Sequence, residues 1–346
     1  MKRCLRLTLP MVLLAVVAMP WPSAQADDGA TLAAEVRDKG WLVFSARSDN
    51  GSWDLFWCRP DGSDLKNLTE TPRYEEAAPR FSPDGTRLLY RRVERGVVLD
   101  HDKWGFMGTV CIANADASEP VQFGEDGQYP WANWMPDGQH LSCLYPAGIE
   151  IVSLESGEAV RKFSRKGIFQ QLFPSPDGKW FCGTGNFSGE AWTIVRMDAT
   201  TTETIAVQRY QSCTPDWFPD SERIIYSSRP AGQLAQEGYG ATQLWLAYRD
   251  GTRQKFLYGD EDYHAYGGLV SPDNNYVVFT KSRVDGGGAE KDGAPMFLMR
   301  LADAPVVEGL SPELRAKYPD AGEDEVLSLP NAWEPHWTSH DVGATK

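Results

Sequence analysis

Five histidines and 48 acidic residues are the groups in this 346-residue chain best suited to metal binding or proton transfer. His264 and His336, with Glu334 or Asp262 as oxygen donors, make up the imidazole and carboxylate set that divalent transition ions take. The same imidazoles could move protons near neutral pH. His101, His140 and His340 stand apart from them, and no spacing of a zinc motif occurs. The acidic runs Asp100-His101-Asp102 and Asp260-Glu261-Asp262 read as solvated loops, with cation binding as the sharper alternative. No Gly-x-Ser-x-Gly elbow is present, and no catalytic residue is assigned.

A second constellation is aromatic. Tyr74, Tyr129, Phe169, Tyr210, Tyr263 with Tyr266, and Trp333 recur at nearly equivalent places, close to Glu75, Glu76, Asn133, Gln170, Gln171, Asp216, His264, Glu334 and His336. Gathered around one axis, these side chains would form an amphipathic funnel on which sugars or peptide side chains could stack. The bland alternative is that the rings pack between neighbouring elements.

The elements that would gather them are repeated. Phe81-Ser-Pro-Asp-Gly85, Trp134-Met-Pro-Asp-Gly138, Pro174-Ser-Pro-Asp-Gly178, Trp217-Phe-Pro-Asp-Ser221 and Val270-Ser-Pro-Asp-Asn274 each precede an apolar strand. Proline presets the second position of a tight turn and Asp-Gly suits the next two, so each copy is a strand-turn-strand corner. The spacing, about one corner per 40–50 residues, is that of a four-stranded propeller blade. Residues 41 to 68 supply three strands of a further blade, and Glu334-Pro-His-Trp-Thr338 supplies its missing first one.

The fold class is therefore all-β: a six-bladed propeller of four-stranded antiparallel blades, its ring closed by the N- and C-terminal strands. Residues 27–40 form an N-terminal extension, 41–338 the propeller and 339–346 a tail. The funnel is expected on the face opposite the Pro-Asp-Gly turns, where loops vary most in length. Ser311 to Tyr318, inside an insertion at 305–325, carries the N-cap and first-turn proline of a short helix.

Lys2, Arg3 and Arg6, the apolar run Leu7 to Ala18 and Ala24-Gln25-Ala26 make residues 1–26 a secretory signal cleaved after Ala26. No segment is apolar over the length a membrane helix needs. A formal charge of -14 excludes nucleic acid as a natural partner. Cys58, Cys111, Cys143, Cys182 and Cys213 lack metal or redox spacing and read as small buried hydrophobes, with a Cys143 to Cys182 bridge as the alternative.

The stretch Ser45-Ala-Arg-Ser-Asp-Asn-Gly-Ser-Trp-Asp-Leu-Phe56, then Pro60-Asp-Gly62, Leu68-Thr69 and Phe81-Ser-Pro-Asp-Gly85, resembles the repeat of TolB-type β-propellers. The resemblance covers residues 41 to 338 and implies a periplasmic propeller. Only Asp27 to Gly40 precedes the first strand here, so the α/β domain that TolB carries ahead of its propeller is not expected. The resemblance extends to oligogalacturonate lyases, which hold a metal mainly through histidines in the central channel. The expected role is a secreted, periplasmic, non-catalytic module binding an envelope or extracellular protein or polysaccharide. The alternative is a channel-sited polysaccharide lyase or hydrolase using a divalent cation on His264 and His336. No other cofactor is expected.

Overall fold

The computed structural model describes residues 28–97, 104–209, 211–229, 242–260, 262–283, 294–301 and 326–342. The secretory segment, Tyr210, the Asp100–Asp102 run and the 311–318 helix expected above lie outside the described residues.

Four antiparallel sheets have four strands each. The first holds β4 (Tyr74–Phe81), β5 (Arg87–Glu94), β6 (Thr109–Asn114) and β7 (Val121–Phe123). The second holds β8 (Asn133–Trp134), β9 (His140–Tyr145), β10 (Gly148–Ser153) and β11 (Ala159–Phe163). Next come β12 (Ile168–Pro174), β13 (Trp180–Phe187), β14 (Glu190–Asp198) and β15 (Thr204–Gln208). The fourth contains β16 (Ser212–Trp217), β17 (Arg223–Ser228), β18 (Gln243–Tyr248) and β19 (Lys255–Tyr258). Together they make a propeller ring of four-stranded blades.

A fifth, seven-stranded sheet runs β20 (Tyr263–Val270), β21 (Tyr276–Arg283), β22 (Ala294–Arg300), β23 (Val326–Thr338), β1 (Trp41–Arg47), β2 (Trp53–Cys58), β3 (Lys66–Asn67). Strand β23 is shared lengthwise. Its first half pairs with β22, from Val326 opposite Met299 to Ala332 opposite Ala294. Its second half pairs with β1, with His336 opposite Val43 and Thr338 opposite Trp41. The seam is tight: a Cβ on Gly40, whose φ is +101°, would lie 1.9 Å from the Thr338 carbonyl oxygen. Helix α1 (Asp28–Val36) packs against this sheet, with Leu32 and Val36 in one cluster with Leu42, Val278 and Trp337. Its Glu35 receives hydrogen bonds from Arg300 and from the Tyr276 hydroxyl.

The Pro-Asp-Gly corners form as their chemistry requires. In the first, the Gly85 amide donates to Ser82 O at 2.8 Å and the Asp84 carboxylate accepts from the Thr86 amide at 3.1 Å. Burial along the strands that follow is continuous rather than alternating: Leu88, Leu89, Tyr90 and Arg91 of β5 are all buried. The inner and middle strands are covered on both faces by neighbouring blades, while the outermost strands, such as β7 and β11, meet water. The cysteines fit this interior: Cys58, Cys111, Cys143 and Cys182 are buried, and none of the five forms a disulfide. Burial pushes the Cys58 thiol up to about 12.

Neighbouring blades are tied by indole hydrogen bonds. Trp134 Nε1 donates to the Arg80 carbonyl and Trp217 Nε1 to the Phe173 carbonyl, both at 3.0 Å, and both bonds are buried. Phenylalanine keeps most of the ring but leaves the acceptor unpaired. Trp134→Phe is expected to lower the unfolding free energy by about 1–3 kcal/mol, read as a lower urea midpoint at unchanged slope.

Candidate functional site

Six segments leading into the corner positions share one local deformation. Five residues before the position of each corner proline, the backbone is left-handed: Ala78 (φ 55°), Trp131 (49°), Gln171 (55°), Thr214 (47°), Gly267 (61°) and Glu334 (53°), the last aligned through Ser339. Strand register slips at the same places in β4, β12, β16 and β20, as in a β-bulge. A non-glycine residue held there costs roughly 1–3 kcal/mol, so something must offset it. The freed amides supply part of the offset. Thr214 N–H donates to Gln171 Oε1 at 2.8 Å, Gly267 N–H to Thr214 Oγ1 at 3.3 Å and Ala78 N–H to Ser45 Oγ at 3.1 Å, each reaching a neighbouring blade.

The bulge aims the second residue after it at the centre. Arg80, Asn133, Phe173, Asp216, Leu269 and His336 all line one cavity of about 460 Å³. Its mouth is set by Pro83, Pro136, Pro176, Pro219 and Pro272, so it opens among the Pro-Asp-Gly corners. The sequence places the expected funnel on the opposite face. A smaller recess of about 30 Å³ continues inward, lined among others by Gln171, Thr214, Tyr266, Trp333 and Glu334.

Eleven of the twelve candidates taken from the sequence lie among the described residues, and they separate clearly. Asn133, Asp216 and His336 line the larger cavity, and Gln171, Tyr266, Trp333 and Glu334 the recess. Tyr129 does not: its ring stacks on Phe123 at 4.7 Å and its hydroxyl donates to Gly157 O, which is packing within and between blades. The guanidinium groups of Arg73 and Arg92 both lie over the Tyr74 ring, 5.3 and 4.7 Å from its centroid. Glu76 is fully buried and accepts from Thr71 Oγ1 at 2.6 Å, with Arg92 3.3 Å away. Burial raises its carboxyl to about 7, with Asp54 adding to the rise and Thr71 and Arg92 opposing it. His264, opposite Ser282 on β20, lines neither space. Among the described residues, no three His, Cys, Asp or Glu side chains are grouped to hold a metal.

Arg80 is the residue that the motif reading passed over. It is 8% exposed, its Nη1 donates to Pro335 O at 3.0 Å and its Nη2 to Glu334 Oε2 at 3.2 Å, and its guanidinium sits over the Phe173 ring. His336 Nδ1 accepts the Phe81 amide at 3.2 Å, which leaves the proton of a neutral ring on Nε2. Burial, then the nearby Arg80 charge, holds this imidazole well below its usual range, so it is neutral at pH 7. Asp216 Oδ1 accepts the Trp217 amide at 2.7 Å. Burial raises its carboxyl to about 6, an effect that Glu334 adds to and that Arg80 and the Trp217 amide oppose.

No protein-family model and no curated protein matches the chain. Solved structures do. "Putative TolB from Agrobacterium tumefaciens" aligns with a TM-score of 0.53 at 20% identity, over 78% of this chain and 87% of that one. "TolB from Acinetobacter baumannii" aligns with 0.59 at 14% identity, over 89% and 70%. A chain of a nidogen/laminin complex aligns with 0.53 at 10% identity, over 80% and 95%. The fold is that of a TolB-like β-propeller. Among the described residues no helix is long and apolar enough to cross a membrane.

The raised Asp216 carboxyl has a stability consequence. Its folded value lies above the unfolded one, so ionising it costs nothing below about pH 4 and the full penalty is felt above about pH 6. Asp216→Asn, which keeps an oxygen for the Trp217 amide, is expected to match the parent at pH 4. At pH 8 it should be more stable by up to ~3 kcal/mol, the size of a two-unit shift, in urea unfolding curves.

Proposed function

We propose that the chain is a secreted, periplasmic binding module that takes a partner into the cavity on the Pro-Asp-Gly face. In this reading the propeller spans residues 41–338 and has six blades, the ring closing where the second half of β23 becomes the innermost strand beside β1–β3. The pairing of Thr338 with Trp41 supports that closure. The observation that carries the function is that six inner strands contribute side chains at equivalent positions to one cavity rimmed by rigid prolines.

A protein ligand fits better than a glycan. Sugar binding in such a space relies on open aromatic faces. Here the Phe173 ring is occupied by Arg80, and Trp134, Trp217 and Trp337 are buried with their N–H groups bonded to backbone carbonyls. The metal-dependent lyase reading is not taken further, because His264 stands outside the space that His336 lines.

A photo-crosslinking residue placed at Ser339 or His340, both at the cavity mouth, is expected to trap a discrete partner from envelope extract. The same probe at Val121 or Val160, exposed on outer strands, should not. Equal adducts from outer and mouth positions, or none from the mouth, would overturn the proposal. A glycan array run in parallel should retain no sugar; retention blocked by a mouth adduct would move the ligand to polysaccharide.

A further inference from the structure

We infer that the cavity is a receptor for one protonated amine or guanidinium on an aliphatic stem, the side chain of a lysine or arginine presented by a protein partner, with Asp216 as its counter-ion. This rests on the reading of the cavity as the ligand site. Besides histidine, Arg80 and Asp216 line both the cavity and its recess, and Glu334 lines the recess. Arg80 and Glu334 are bound to each other at 3.2 Å, and the other guanidinium arm is used by Pro335 O. His336 is neutral and offers only an Nε2 donor. Asp216 is left over, an acid facing the cavity with a hydrogen bond from the Trp217 amide on one oxygen.

The rim adds no net positive charge. Four corner aspartates have a cationic neighbour, Asp84 with Arg87, Asp177 with Lys179, Asp220 with Arg223 and Asp273 with Lys39, and Asp137 is hydrogen-bonded to His140 Nδ1. The unmatched charge therefore lies at the bottom, beneath walls of proline, Phe173 and Leu269 that suit a methylene stem. An anion would meet Asp216 with no free cation to receive it, since Arg80 is already committed. A neutral ligand would leave Asp216 with only the field of Arg80, a charge already bonded to Glu334, to balance it. The formal charge of -14 draws basic partners toward the molecule at low salt.

The test uses the mature protein and small probes followed by NMR and calorimetry. N-acetyl-lysine methylamide is expected to bind, the norleucine analogue of the same shape at least tenfold more weakly, and the glutamate analogue not at all. Asp216→Asn should abolish the preference for lysine over norleucine, and Leu269→Lys, a tethered competitor, should block both. Affinity should fall as pH drops through about 6, where Asp216 takes up a proton amid Arg80, Glu334, His336 and the buried Cys182. Equal binding of lysine and norleucine analogues, or a preference that survives in Asp216→Asn, overturns the inference. Spermidine binding more than tenfold tighter than the lysine analogue reassigns the ligand to free polyamines and overturns the protein part. If a partner crosslinks at Ser339 with equal yield in Asp216→Asn, the inference falls while the cavity remains the binding site; if no partner crosslinks at the mouth, that reading falls with it.

Discussion

The left-handed turn ahead of each corner is the constraint on which the rest of the molecule depends. A regular strand would alternate its side chains past the axis and bond its amides to its own blade. The bulge rotates one peptide out of that pattern. Where it does so at Thr214 and Gly267, the released N–H finds the side chain of the same position one blade back, so the strain of one strand is offset by contact with the next. Two residues on, the chain has been re-aimed and presents Arg80, Asn133, Phe173, Asp216, Leu269 and His336 to a common space. Blade-to-blade attachment and the shape of the cavity thus come from one backbone device.

Attachment and chemistry then compete for the same groups. Asn133 faces the cavity, yet its Nδ2 is bonded to Leu172 O at 2.7 Å on the neighbouring blade. Arg80 ties β4 to β23 through Pro335 and Glu334. His336 ties them again through the Phe81 amide. Each bond removes one group from the inventory a ligand could use. What remains is set by subtraction, and Asp216 stands out because its backbone bond occupies one oxygen only.

Much of the architecture was legible in the sequence because its signal is repeated. Five proline corners with strands after them fix the blade unit, and the shared strand β23 answers to the short match around Trp337. The continuous burial of β5 was not legible, since a run such as Leu88 to Arg91 reads equally as a half-exposed strand until the neighbouring blades are in place. The site was half legible. Asp216, Asn133 and His336 were found as polar residues near a strand start, but Glu76, chosen by the same criterion, and Tyr129, chosen as one of the recurring aromatics, pack in the interior instead. Local type does not say which side of a strand faces the axis. The bulge does, and it has no composition of its own, being built on Ala, Trp, Gln, Thr, Gly and Glu alike.

The position that decides the chemistry was nonetheless present one residue ahead of the recognised motif. Counting three back from each corner proline, and from Ser339 in the sixth strand, gives Arg, Asn, Phe, Asp, Leu and His. A repeat scan discards that column because it varies, whereas the corner is kept because it must turn. In a propeller the two belong together: the corner and the bulge hold six backbones in equivalent places, and only then can six unlike side chains be compared as a set. Specificity in such a fold resides in the column that breaks the repeat, and the net charge of that column, with Arg80 spent on Glu334, is what a partner would meet.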